Sequence, residues 1–342
     1  MTFTDEYLNQ SKRQEERGRC LHFSDGVRCN EIISAHSIQK SGQLATIAED
    51  GHVYRMSAGL STLRRTGGLP HPEKIGVRRA STFFGFCKYH DNALFGPIDK
   101  KPLRPDKSQI ALYAYRCLCR ELFVKENAVA TLNWMKEHPD VDHKKMKFLQ
   151  ASLKGQKLGL DGLLHHKKHY DEAIQNGRHE EFEFTYFMST SRCSLQLSGL
   201  LYPDFDFLGR HLQNLSDWSS PLAMITFFTA PTDEGWAFGF GWHKSSSQSC
   251  IPFIQSLRAC VAGGAKFHDV LLRFSFSTCE NHAFRISWWD TVAESDKQAV
   301  IARMILMIHP GIPIPSNYLV EGLEGIADWE FKYVQTTLHA EA

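Results

Sequence analysis

Residues 181–202 have the sequence EFEFTYFMSTSRCSLQLSGLLY, in which apolar side chains alternate with polar ones over most of the length. A period of two residues is typical of β-strands that bury one face. Further runs of β-branched and aromatic residues follow: PLAMITFFTA (221–230), GWAFGFGWHK (235–244), VLLRFSFST (270–278) and DWEFKYVQT (328–336). With a helical pattern over 287–307, they predict an α+β domain over residues 180–342. Its sheet should be mainly antiparallel and contain about five to seven strands.

The segment before this sheet has a helical period. From Ser108 onward, apolar residues recur at spacings of three and four, and the same pattern resumes over 144–175. Residues 100–107, KKPLRPDK, form a basic stretch with two prolines that is typical of a linker. The sequence therefore predicts a linker and helical connector over 100–179, which separates an N-terminal module over 16–99 from a sheet confined to the C-terminal domain.

Composition supports a folded protein with two unlike halves. The chain has 342 residues, 42% hydrophobic and 23% charged, which excludes a mainly disordered or fibrous protein. The net charge is +1 overall, but it is +5 over residues 1–110 and −7 over residues 181–342. The first residues lack the apolar core of a secretory signal, and no apolar run reaches the roughly 18 residues of a membrane span. We expect a cytoplasmic protein without membrane contact.

Two separated pairs of cysteine and histidine residues predict a metal site. Cys20 and Cys29 flank LHFSDGVR, which has the turn residues of a knuckle, and Cys87 precedes His90 by three positions at the start of a predicted helix. Structural Zn²⁺ prefers four such ligands, supplied as two close pairs. The alternative is a set of unconnected core thiols. His22 or His36 could each replace one ligand.

The residues between the pairs, EIISAHSIQK (31–40), resemble the first strand of HNH (His-Me finger) endonucleases. The order of features is also similar: a Cys pair, a strand with His36, a loop, a second pair and a helix. The resemblance covers about residues 19–99 and implies a treble-clef zinc module of ββα-like form. Segments 35–40 (AHSIQK), 50–54 (DGHVY) and 86–91 (FCKYHD) are also similar to bacterial proteins associated with phage defence.

The resemblance implies a catalytic role for His36 as the base that activates water. The family's metal-binding position after the zinc pair is occupied here by Asp91, which can bind Mg²⁺ or Mn²⁺ through oxygen. The chain departs from the family in two other places. Ala35 stands before His36, where the family has an acidic residue or histidine, and Ser81 and Thr82 stand where the family has the asparagine that orients the base.

Basic residues crowd the stretch between His36 and Cys87, which we predict to be a long loop. Beside a nuclease-like module they could hold the phosphates of DNA or RNA; the alternative is a solvated loop. The residues concerned are Arg64, Arg65, Lys74, Arg78 and Arg79.

Two other functions are compatible with the sequence. The protein could be a non-catalytic interaction protein, in which zinc stabilises the N-terminal module and the acidic C-terminal domain binds a protein partner. An enzyme site could instead lie in a C-terminal pocket around Glu280 and Trp288.

Overall fold

The computed structural model describes residues 2–309 and 312–338. The two longest helices are α5 and α6, which pack along each other over residues that were predicted to be helical. None of the described helices is long and apolar enough to cross a membrane. The helices are α1 (Phe3–Glu16), α2 (Ala45–Ile47), α3 (Leu60–Arg65), α4 (Lys88–Asp99), α5 (Lys107–Lys136), α6 (His143–Gln175), α7 (Ser247–Ala262), α8 (Phe267–Thr278), α9 (Ile286–Thr291) and α10 (Glu294–Ile308).

The strands form two antiparallel sheets. A small sheet pairs β1 with β4, and a large sheet has the order β10-β5-β8-β7-β6-β9-β2-β3. The mainly antiparallel α+β architecture predicted from the sequence is therefore confirmed. The strands are β1 (Ile32–His36), β2 (His52–Ser57), β3 (His71–Gly76), β4 (Thr82–Cys87), β5 (Phe182–Ser189), β6 (Leu195–Leu201), β7 (Ile225–Pro231), β8 (Trp236–His243), β9 (His282–Phe284) and β10 (Tyr333–Thr336).

The large sheet crosses the predicted boundary between the halves. The hairpin β2–β3 extends it through β9, where Tyr54 pairs with Phe284. Val53 is completely buried in the core beneath this sheet, as are Leu44 and Ile47 just before the hairpin. The prediction of a sheet confined to residues 180–342 is wrong, because these apolar side chains find their cover on the C-terminal strands. The prediction of a long loop between His36 and Cys87 is also wrong, because this stretch contains β2, α3 and β3.

The large sheet lies between two helical layers. Helix α5 covers one face of the sheet. It lies so close to β8 that a Cβ atom added to Gly241 would be 3.0 Å from the side chain of Ile110. On β7, the ring of Phe228 stacks on Tyr113 of α5 with 4.6 Å between the ring centroids. On the other face Phe274 of α8 packs against Phe227 of β7 at 4.8 Å. The helix α5 therefore has the sheet on one side and the small sheet with α4 on another, which places the N-terminal ligand pairs against a rigid support.

The segment VLLRFSFST, predicted as a strand, forms most of α8. Every residue from position 269 to 277 is buried. The polar residues Asp269, Arg273 and Ser275 are buried as well, so polarity does not mark a solvent-facing side of this helix. The alternation of Phe274 and Phe276 with serines resembles the pattern of a half-buried strand.

Two buried histidines should make the protein sensitive to acid. His166 and His282 are 3% and 4% exposed, and burial lowers the pKa of each to about 4. The unfolded chain binds these protons near pH 6.5, so the free energy of unfolding is undiminished above that pH and falls as the pH drops towards 4. Each histidine should lower the free energy of unfolding by about 3 kcal/mol between pH 6.5 and pH 4.

Urea unfolding at a series of pH values checks this expectation. The variant His282→Phe, placed among Phe276 and Phe284, should show a shallower loss of stability between about pH 6.5 and 4 than the wild type. The exposed His71 offers a matched control, because His71→Phe should keep the wild-type slope. Equal slopes in His282→Phe and wild type would contradict the prediction.

Candidate metal centre and the adjoining cavity

The first ligand pair is held by a knuckle that lies along β4. The backbone N–H of Leu21 donates to the carbonyl of Gly85 at 2.9 Å, which fixes Cys20 beside the small sheet. The chain then turns through Gly26, whose φ of +81° favours glycine. The N–H of Gly26 donates to Cys29 Sγ at 3.3 Å, so the turn also orients the second thiol.

The second pair stands where β4 becomes α4. Cys87 is the N-cap of α4, and its Sγ accepts a hydrogen bond from the backbone N–H of His90 at 3.5 Å. This one turn of helix brings both side chains to the same side. Cys87 is completely buried and His90 is nearly so.

The four side chains converge on one point. His90 Nδ1 lies 3.4 Å from Cys20 Sγ, 3.4 Å from Cys29 Sγ and 3.3 Å from Cys87 Sγ. All four ligand atoms lie within 4.8 Å of one another. Zn–S bonds of about 2.3 Å and Zn–N bonds of about 2.0 Å in a tetrahedron require separations of roughly 3.5 Å between nitrogen and sulfur. The predicted cluster is therefore formed and could hold a metal ion, and its Cys3His donor set suits zinc.

His22 lies beside this cluster rather than in it. Its ring stacks on His90 with 4.0 Å between centroids, and its Nδ1 accepts a hydrogen bond from the N–H of Ser24 at 3.0 Å. Burial, reinforced by the neighbouring His90, lowers the pKa of His22 to about 4. A neutral ring over the ligand His90 adds no positive charge next to a bound cation. Within residues 2–309 and 312–338, the four predicted ligands form the one Cys, His or carboxylate group suited to a metal.

Aromatic and polar contacts fix the cluster to α5. The hydroxyl of Tyr115 donates to Asp171 of α6 at 2.7 Å, and its oxygen lies 3.1 Å from the carbonyl oxygen of Leu21. Arg19 donates to the carbonyl of Phe123 at 3.1 Å and lies over its ring at 4.3 Å. The knuckle is thus anchored to both long helices.

His36 and Asp91 line the same cavity, which has a volume of about 230 Å³. His36 Nε2–H donates to the carbonyl of Val77 at 3.0 Å, which leaves Nδ1 as the acceptor nitrogen. Burial lowers the pKa of His36, and the hydrogen bond to Val77 opposes this only in part. The imidazole is therefore neutral and oriented at neutral pH.

An ion pair closes another side of this cavity. Arg116 of α5 is only 3% exposed and donates to both oxygens of Asp99 at 2.8 and 2.9 Å. Its guanidinium also lies 4.2 Å from the ring centroid of Phe95. Burial raises the pKa of Asp91, and the nearby Arg116 works against that rise.

Sequence reasoning missed Val77, Asp99 and Arg116 as part of this site. Val77 acts through its backbone carbonyl, which no side-chain pattern can reveal. Arg116 did carry a clue, since it is the single charge among eleven consecutive buried positions, 109–119, at the start of α5. A charge in such a run requires a partner.

The five basic residues predicted to bind nucleic acid are all exposed. Arg64 and Arg65 lie on α3, Lys74 on β3, and Arg78 and Arg79 in the turn after β3. The turn is the one that supplies the Val77 carbonyl to His36. Arg65 is paired with Glu73 at 3.3 Å. The role of all five residues stays a prediction.

The hypothesis of a C-terminal pocket around Glu280 and Trp288 does not fit the structure. Trp288 is buried, donates from Nε1 to the carbonyl of Ile326 at 3.3 Å and packs against Trp329. Glu280 instead lines a cavity of about 440 Å³ between α5 and α6, together with Glu121. The paired tryptophans are core residues.

No protein-family model matches the chain, and no curated protein or solved structure matches it significantly.

Proposed function

We propose that this protein hydrolyses phosphodiester bonds in DNA or RNA, using an HNH-like treble-clef module stabilised by zinc. One observation carries the proposal: His36 and Asp91, the two residues that the resemblance assigns to catalysis, line one cavity. Asp91 directly follows the ligand His90 on α4, so an ion bound by the cluster would also hold the cavity in shape. The zinc would be structural, because its four ligands leave no open position.

His36 has the properties of a general base for water. A base must be neutral at working pH, oriented by a second group and within reach of the nucleophile. The Val77 carbonyl orients the ring, and the lowered pKa keeps it neutral. His36 would take a proton from water as the oxygen attacks phosphorus. The bond from phosphorus to the leaving oxygen would break, and that oxygen would keep the electron pair and take a proton from solvent water.

Asp91 supplies a carboxylate for a second, catalytic cation. Mg²⁺ is often held by one or two carboxylates together with phosphate oxygens of the substrate, so a single free carboxylate is a sufficient protein contribution. The carboxylate of Asp99 is already taken by Arg116. Mg²⁺ or Mn²⁺, when bound, would offset the charge that develops on the phosphate.

The departures from the HNH pattern have local substitutes. The orienting role of the family's asparagine passes to the Val77 carbonyl, while Ser81 bonds to Ser37 at 2.7 Å. Ala35 is buried, so it leaves the space before His36 apolar. A role in phage defence and a cytoplasmic location rest on the sequence alone and are part of the proposal.

A cleavage assay on the wild-type protein tests this function. Supercoiled plasmid, linear single-stranded DNA and RNA are each incubated with Mg²⁺ or Mn²⁺, and nicking or shortening of at least one substrate is expected. Binding without cleavage under all of these conditions would overturn the proposal.

That outcome would favour the second candidate, a zinc-stabilised interaction protein. The observation in its favour is β10, which is the outermost strand of the large sheet and exposes Tyr333 and Val334. An edge strand can accept an added strand from a partner. The acidic balance of residues 181–342 would then select a basic protein segment.

A further inference from the structure

The first half of α6 carries a face of lysines that is separate from the residues lining the His36 cavity. Residues 143–160 contain five lysines and no Asp or Glu. Four of them have spacings of three, seven and three residues, which places them along one side of a helix. All four side chains are exposed: Lys144, Lys147, Lys154 and Lys157.

The opposite side of this helix is the one that packs against the protein. Leu149 and Leu153 are buried there, and α6 lies along α5. The nearest carboxylates in sequence are Asp142, the N-cap, which pairs with Lys145 at 3.6 Å, and the exposed Asp161, one helical turn after Lys157. In the part of the chain that the structure describes, none of the four face lysines has a carboxylate within ion-pair distance. Their charge is therefore free to meet an external anion.

We infer that this lysine face binds the phosphate backbone of a nucleic acid. The inference rests on the proposed function for the presence of a nucleic-acid ligand, and it adds a binding surface that no cleavage chemistry requires. The thirteen residue steps from Lys144 to Lys157 rise by about 20 Å along the helix. Duplex DNA carries one charge per roughly 1.7 Å of its axis, so the row of lysines can run along several phosphates.

An aromatic neighbour extends the surface. Phe148, four residues after Lys144, is 60% exposed. An exposed ring among lysines is a stacking platform for an unpaired base.

The same features disfavour an anionic membrane as the partner. A helix that lies in a membrane interface needs a broad apolar face to insert. The apolar face of α6 is already used against α5, and Phe148 is the single large apolar side chain of residues 143–160 that is mostly exposed. A nucleic acid, which contacts the lysines through its phosphates and requires no insertion of apolar side chains, therefore fits this surface better than a membrane.

The test compares two fourfold neutralised proteins by fluorescence anisotropy. The first is Lys144→Gln, Lys147→Gln, Lys154→Gln and Lys157→Gln; Gln and Lys have nearly equal helix propensity, so α6 should persist. The matched control removes the same charge from the C-terminal half through Lys244→Gln, Lys266→Gln, Lys297→Gln and Lys332→Gln. The probes are a labelled duplex and a labelled single strand of DNA, with no Mg²⁺ or Mn²⁺ added, so cleavage does not contribute.

Four lost phosphate contacts should reduce the slope of log affinity against log salt by about 3 and weaken binding at least tenfold. The control protein should bind as the wild type does. Wild-type affinity and slope in the α6 variant would overturn the inference, as would binding of the wild type to phosphatidylserine vesicles but to neither DNA. A wild type that binds through α6 yet never cleaves would contradict the proposed function and leave this inference standing.

Discussion

Replacing Cys87 with Ser should release the bound metal and lower the free energy of unfolding by more than about 4 kcal/mol, the range reached when a metal site is lost. Cys87 Sγ lies 3.3 Å from His90 Nδ1, and the residue also caps α4. A hydroxyl is a poor zinc ligand compared with a thiolate, so the site would keep only three effective donors. In zinc modules the free energy of metal binding is folding free energy.

The damage should spread from the cluster into the body of the protein. Phe86 and Phe95, which flank the second ligand pair, contact each other edge to face at 5.1 Å, and Phe83 of β4 packs on Phe123 of α5 at 5.8 Å. When the ion no longer joins the knuckle to α4, these rings lose their fixed support.

Zinc content by mass spectrometry and urea unfolding measure both effects. The wild type should contain about one zinc per chain, as expected for a single four-ligand site. The control is Cys260→Ser, a half-buried thiol outside the cluster, which should keep its zinc and most of its stability. Full zinc content in Cys87→Ser would show that the four residues do not form the site.

The metal cluster could be predicted from sequence because its signals are local. One helical turn joins Cys87 to His90, so that pair is nearly fixed by spacing alone. Eight residues separate Cys20 from Cys29, but the turn residues between them indicate a knuckle. Only the meeting of the two pairs is long-range, and the antiparallel pairing of β1 with β4 provides it. The helices α5 and α6 were predictable from their length, since runs of 30 and 33 residues without proline are far longer than a strand.

The junction of the halves could not be predicted in this way. Within the large sheet it is made by β9, a strand of three residues, through the pair Tyr54 and Phe284, which are 230 positions apart. So short a strand leaves no period to detect. The Val77 carbonyl and the pairing of Arg116 with Asp99 were hidden for another reason: each contact exists only after separate elements have packed.

The His36→Ala variant should cleave nucleic acid about 100- to 10,000-fold more slowly than the wild type, the usual contribution of a general base. Its zinc content should be unchanged, because His36 lies outside the four ligands. Asp91→Asn, which keeps the shape and removes the charge, should cause a loss of similar order that is specific to the Mg²⁺- or Mn²⁺-dependent reaction. The test measures the cleavage rates of the wild type and both variants on plasmid and on RNA, together with the zinc content of each protein.

His52 provides a matched control for the loss of a ring that binds a backbone carbonyl. His52 Nδ1–H donates to the carbonyl of Asp50 at 2.7 Å, much as His36 does to Val77, but His52 lies on β2 and does not line the cavity. If His36 were only structural, His36→Ala would lower the free energy of unfolding by about 1–3 kcal/mol without changing the cleavage rate. His52→Ala, which removes an exposed hydrogen bond, should cost less stability and leave the cleavage rate unchanged. The catalytic assignment requires that only His36→Ala lowers the rate.

The pH dependence of wild-type cleavage makes the same distinction without a mutation. Because burial lowers the pKa of His36, its neutral form should persist below the ordinary histidine value of about 6.5. The acidic limb of the rate profile should therefore lie below about pH 6.5. A limb centred above pH 7 would not belong to His36, and it would remove His36 from the role of base even if His36→Ala were inactive.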